Sequence, residues 1–250
     1  MKGGEQIFID KNSKIGILLI HGFSSTPRQF KELSVYLAEK GFTVFAPLIA
    51  GHGTSPQDLM KTSPEDWTES VKNAYLKLKN KSEKIFIIGN SFGSNLAFWL
   101  AKELDNEPIG IIALGAPIFL KFHNFIKFRL FTYGRLRKYY HKPLRLYKAD
   151  YTDMLDEVSY PIISVKNLNQ FINFIEQETI PNLDKIKIPI LIANASVDPI
   201  IQHKSANYIF QNIGSLKKEI FWIDSNRHSA IGKGCEGLFC KIYNFISENV

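Results

Sequence analysis

IIGNSFGSNLA, Ile87–Ala97, closes an apolar run on glycine, sets a serine among small and turn-prone residues, and opens into a second apolar run. The stretch leading into it, KIFIIG at 84–89, is short and β-branched as a buried strand is, and SNLAFWLAKEL after it is patterned as a helix. Between the two lies Gly89-Asn90-Ser91-Phe92-Gly93, a G-x-S-x-G. A serine on a sharp strand-to-helix turn, with its side chain pointing out, crowds the backbone two residues to either side, so glycine is required there. An ordinary β–α loop can carry the same five letters. What separates a nucleophile from a bystander hydroxyl is the company in neighbouring loops.

Working outward, strand-length apolar runs recur at 6–10, 15–20, 43–47, 109–114, 188–193 and 219–223. Most are apolar at consecutive positions, as strands covered on both faces are. Helical patterns lie between them. Thr26-Pro27-Arg28-Gln29 predicts a capped helix start with Gly41 as its stop, and Ser63-Pro64-Glu65-Asp66 starts another. Residues 91–104 and 201–213 complete the set. Alternating strands and helices imply an α/β fold, a mostly parallel central sheet with helices on both faces.

The alternation breaks between Pro117 and about Asn182. We therefore expect a core from residues 1–117 and 182–250, and an inserted, mostly helical cap over 118–181. Residues 118–150 carry nine Lys or Arg against one acid, Asp150, while the whole chain has a net charge of +7. The basicity thus belongs to one segment. Phenylalanine recurs there at 119, 122, 125, 128 and 131. On an α-helix that spacing drifts by about 60° per step, so the rings would spread well beyond one core-facing stripe.

In an open parallel sheet, chemistry gathers in the loops after the carboxyl ends of strands. After 188–193 comes Asn194-Ala195-Ser196-Val197-Asp198-Pro199, whose aspartate can hold an imidazole or simply cap a turn. After 219–223 comes Asp224-Ser225-Asn226-Arg227-His228-Ser229, with a histidine that alone would read as a surface residue. After 15–20 comes His21-Gly22-Phe23-Ser24, where the Phe23 N–H can face the site beside that of Phe92. Serine, aspartate and histidine, each in the loop after its own strand, make a nucleophile, an orienting acid and a base; two backbone donors make an oxyanion hole.

LLIHGFSSTPRQF, GHGTSP at 51–56 with Glu65-Asp66-Trp67, GNSFGSNLA, SVDPI and SNRHSAI together resemble the α/β-hydrolase family, in its carboxylesterase and monoacylglycerol-lipase-like branch with a small cap. The resemblance covers nearly everything outside 118–180. It implies Ser91 as nucleophile, His228 as base, Asp198 as its orienting acid, and the Phe23 and Phe92 amides as oxyanion hole. It gives His52 a structural place near the pocket. Arg227 departs from the small residue usual before the histidine. The expected function is hydrolysis of carboxylic esters, short- to medium-chain or monoacylglycerol, without cofactor or metal. A thioesterase or acyltransferase would use the same triad, and a silent lipid-binding member would share the fold.

The remaining features set bounds. The amino terminus lacks a continuous apolar core, and no apolar stretch reaches the roughly 18 residues of a membrane span, so a cytoplasmic protein is expected. Cys235 and Cys240 sit on different faces of a terminal helix and are expected to be reduced packing residues. The basic, aromatic cap suits a small ester substrate and either touches anionic lipid peripherally or only covers the pocket, its phenylalanines on the sheet edge and its lysines in water; no nucleic-acid module accompanies it.

Overall fold

The computed structural model describes residues 4–133, 137–142, 159–228, 231 and 235–250. Within them, β1 (Ile7–Ile9), β2 (Ile15–Ile20), β3 (Thr43–Ala46), β4 (Lys84–Asn90), β5 (Gly110–Leu114), β8 (Ile190–Ala195) and β9 (Lys218–Ile223) form one sheet in the order β1-β3-β2-β4-β5-β8-β9. Every neighbouring pair is parallel except β1 with β3. A separate antiparallel pair joins β6 (Tyr139–His141) to β7 (Ile162–Ser164).

The consecutive apolar residues of the central strands serve two cores at once. Leu18, Ile20, Ile85 and Ile87 face one layer with Trp67, Val71 and Leu96, while Ile17, Leu19, Phe86 and Ile88 face another with Leu33, Leu37 and Ile242. The first layer is α3 (Pro64–Lys79), α4 (Phe92–Glu103) and α7 (Lys204–Asn212); the second is α1 (Lys31–Glu39) and α8 (Glu236–Ser247). β4 lies at the centre of the order and is buried from Ile85 to Asn90. Each buried Ile or Leu contributes about 1.5–3 kcal/mol, so the loop after β4 rests on the most firmly held strand.

Two local expectations are corrected. The segment after Thr26 begins as a 3₁₀ turn, Pro27–Phe30, and Thr26 makes no capping bond. The Gln29 side chain turns inward and accepts from Asn90 Nδ2 at 2.6 Å, tying the turn to the end of β4. A short α2 (Pro56–Lys61), unforeseen in the sequence, starts where Ser55 Oγ accepts from the Asp58 N–H at 3.1 Å. At Ser63 the expected cap is present, its N–H donating to Asp66 Oδ2 at 2.8 Å. Cys235 and Cys240 are unbridged as expected, but Cys240 is exposed and packs in no core.

Between β5 and β8 the chain forms α5 (His123–Tyr133), the β6–β7 pair, α6 (Val165–Phe174), a π turn at Ile175–Thr179 and a 3₁₀ turn at Ile180–Lys185. Residues 143–158 of the expected cap, with Arg145, Lys148 and Asp150, lie outside the described residues, as do Arg135 and the Phe131 side chain. Phe119 and Phe122 precede α5, so the phenylalanines do not share one helix. Phe119 packs edge-on against Tyr208, whereas Phe122, Phe125 and Phe128 are 70%, 58% and 61% exposed.

Candidate active site

Four loops converge above the sheet. Ser91 follows β4 directly and carries φ 52°, ψ −123°, a conformation an L-residue holds at a cost of about 1–3 kcal/mol. Its neighbours explain how it is held. A Cβ on Gly93 would lie 2.0 Å from the Ile20 carbonyl oxygen, and one on Gly89 would lie 2.4 Å from Gly93 O. Neither distance admits a carbon atom. The elbow exists because β4, the end of β2 and the first turn of α4 approach closer than any side chain permits.

His228 Nε2 lies 2.8 Å from Ser91 Oγ, and its Nδ1 lies 2.7 Å from Asp198 Oδ2. The other Asp198 oxygen accepts from the Ile200 and Ile201 amides at 2.8 and 2.9 Å. Burial alone would raise the Asp198 pKa, but His228 beside it and the two amides more than offset that, and the net shift is downward. An ionised carboxylate only accepts, so Nδ1 carries the imidazole proton and Nε2 accepts from the serine hydroxyl. Gly115, at the end of β5 with φ +54°, makes room for this ring: a Cβ there would lie 3.4 Å from His228 Cε1 and 3.2 Å from its carbonyl oxygen.

On the other side of Ser91 the Gly22–Phe23 peptide is turned by its surroundings. Gly22 O accepts from the Ser25 amide at 3.1 Å and lies 3.0 Å from His21 Nδ1. His21 Nε2 accepts from the Ile49 amide at 3.1 Å, so Nδ1 bears the proton and donates to Gly22 O. In a trans peptide the N–H points opposite to the carbonyl, so these bonds fix the direction of the Phe23 amide. Phe92 is the first residue of α4, where an amide has no partner within the helix. Burial, reinforced by His52, lowers the His21 pKa to about 3; burial lowers that of His52 to about 4. Both rings are held neutral, His21 against Gly22 O and His52 against Ala50 O.

Ser91 and His228 line one cavity with Gly22 and Phe23. The insertion supplies its apolar wall, including Leu120, Ile126, Ile163 and Phe171, the last stacked on Phe23 at 5.0 Å. All five residues singled out in the sequence therefore meet at this place. Gly115 and the polar residues Ser24, Lys142 and Ser159 were not singled out. Gly115 left a signal, a glycine directly after a strand; the others left none, because they meet only through the tertiary fold.

This is the α/β-hydrolase fold. A structure of the metagenome-derived lipolytic enzymes LipS and LipT superposes with a TM-score of 0.88 at 24% identity over 99% of both chains. A soluble variant of Saccharomyces cerevisiae monoglyceride lipase superposes at 0.82, with 19% identity over 98% of this chain and 91% of that one. In sequence, the chain is 32% identical to a thermostable monoacylglycerol lipase of Bacillus sp. (strain H-257) over 228 residues, 91% of this chain and 88% of that protein. It is 29% identical to a carboxylesterase of Bacillus subtilis (strain 168) over 96% of each. The family described as Hydrolase_4, serine aminopeptidase S33, matches residues 11–233, and the chain belongs to it.

Proposed function

We propose that the protein hydrolyses carboxylic esters, of short- to medium-chain acids or of monoacylglycerols, through an acyl-enzyme on Ser91. The carrying observation is the unbroken relay from Ser91 Oγ to His228 to Asp198, at 2.8 and 2.7 Å, opening into an apolar cavity. His228 takes the Ser91 proton as the hydroxyl attacks the ester carbonyl. The developing oxyanion is held by the Phe23 and Phe92 amides, each worth roughly 10²–10³ in rate. The alcohol leaves with the proton from His228, and water repeats the sequence on the acyl-enzyme. No cofactor enters. The names of the two Bacillus relatives agree with this chemistry.

Turnover of a panel of 4-nitrophenyl and monoacylglycerol esters by wild type and Ser91→Ala tests it. The substitution is expected to lower kcat by about 10⁶-fold and to abolish labelling by a fluorophosphonate. Labelling that persists without Ser91, or unchanged turnover, overturns the reading. Acyl transfer to an added alcohol in preference to water would redirect it to a transferase with the same residues.

Residues 118–181 are assigned as the cap over this cavity. Its exposed Phe122, just before α5, and Phe125 and Phe128 on α5, with Lys127 and Arg129 of that helix, support peripheral contact with anionic lipid. Binding to phosphatidylglycerol vesicles should weaken with salt, and should drop when the three rings are replaced by serine. Absence of binding at low salt ends this part.

A further inference from the structure

Ser24 is fully buried and has φ +59°, a left-handed conformation for a residue with a side chain. It directly follows Phe23, whose amide the proposed mechanism uses. Three contacts from the insertion hold it there. The Tyr160 amide donates to Ser24 O at 3.0 Å, Lys142 Nζ donates to Ser24 Oγ at 2.7 Å, and Ser159 Oγ lies 3.3 Å from that same hydroxyl. Ser24 Oγ in turn donates to Phe23 O at 2.6 Å. Lys142 also donates to Ser159 Oγ at 2.6 Å, so one ammonium binds both hydroxyls.

The base of this clamp is itself anchored. The Lys142 amide donates to Pro161 O at 3.0 Å, and the Tyr160 hydroxyl accepts from the Thr54 amide at 2.8 Å. The turn carrying the Phe23 amide is thus gripped from the core through His21 and Ser25, and from the insertion through Ser24.

We propose that Lys142 is a positioning residue for the oxyanion hole: its ammonium holds the Ser24 hydroxyl, which fixes the Phe23–Ser24 peptide directly after the Gly22–Phe23 peptide that bears the N–H, so that the insertion limits the rotation of Phe23 between the two. The proposal rests on the acyl-enzyme reading of Ser91. It assigns the insertion a part in the chemical step besides lining the cavity. Losing the ammonium removes one of the three contacts that hold Ser24 in its left-handed state, and loosens the aim of the Phe23 amide where charge develops.

Lys142→Met keeps the stem and removes the donors. It is expected to lower kcat by about tenfold, within the loss that small misplacement of a catalytic group produces, with KM changed by less than about twofold. Affinity for a trifluoromethyl ketone, which adds to Ser91 as a hemiketal oxyanion, should fall by the same factor. Lys142→Arg should restore most of the activity. In a Ser24→Gly background, Lys142→Met should have no further effect, because its target hydroxyl is gone. Ser159→Ala should give a smaller loss of the same kind if Lys142→Met does not fold. An unchanged kcat, a rise in KM alone, or a tenfold loss that persists with Ser24→Gly overturns the proposal. Stoichiometric fluorophosphonate titration of wild type keeps the two readings apart: if wild type neither labels nor turns over esters, the reading of Ser91 fails first.

Discussion

The elbow at Gly89–Gly93 and the turn at Gly22–Ser25 carry the two amides proposed for the oxyanion hole, yet they are held by different means. The elbow is fixed mainly by backbone packing, with no room for a Cβ between Gly93 and the Ile20 carbonyl and α4 beginning at Phe92, supplemented by Ser94 Oγ donating to Gly89 O and Asn90 Nδ2 donating to Gln29 Oε1. The turn is fixed by side chains that arrive from elsewhere: His21 from the end of β2, Lys142 and Ser159 from the insertion. A close-packed backbone junction has one solution and writes a short motif into the sequence. A turn braced by borrowed side chains can be adjusted, and leaves only HGF behind.

The sharpest way to break this contrast is Gly93→Ala. A methyl 2.0 Å from Ile20 O must drive β2 and α4 apart, so unfolding stability should drop by more than about 4 kcal/mol, a large share of what a domain has. Urea midpoints measure it. A loss under about 1 kcal/mol would mean that the elbow yields as easily as the turn.

A smaller effect probes the turn. The folded pKa values of His21 and His52, about 3 and about 4, lie below the ordinary 6.5, because burial disfavours the charged rings. Between those limits the unfolded chain binds protons that the folded chain does not. Stability is therefore complete above the ordinary value and falls with acidification, by up to about 1.4 kcal/mol per pH unit for each ring. Urea midpoints at pH 7, 6 and 5 should decline, and His52→Gln should roughly halve the slope. A flat profile would show that neither ring must stay neutral, and would remove His21 as the brace of Gly22.

The sheet and the meeting of the candidate site residues were legible in the sequence for one reason. Strands buried on both faces write continuous apolar runs, and Ser91, Asp198, His228 and Phe23 each sit within a few residues of where such a run ends. The 3₁₀ start at Pro27 was not legible, because Gln29 is claimed by Asn90 on another strand instead of by its own helix cap. Nor was the grip on Ser24, since its partners stand 118 and 135 residues away. The phenylalanine repeat misled for a related cause: Phe122, with φ +60°, ends the register before α5 begins.

The insertion leaves the sheet after β5 and returns at β8, and those two strands are immediate neighbours, paired from Ile111 with Ile190 to Leu114 with Ala193. Its two ends are thus joined by the sheet whatever happens between them, and the closure penalty of a longer or shorter excursion grows only slowly with length. A segment tethered in this way can be lengthened, shortened or exchanged without unpairing β5 from β8. What a replacement must reproduce is the apolar wall of the cavity and, on the proposal above, a cation able to reach the hydroxyl of residue 24.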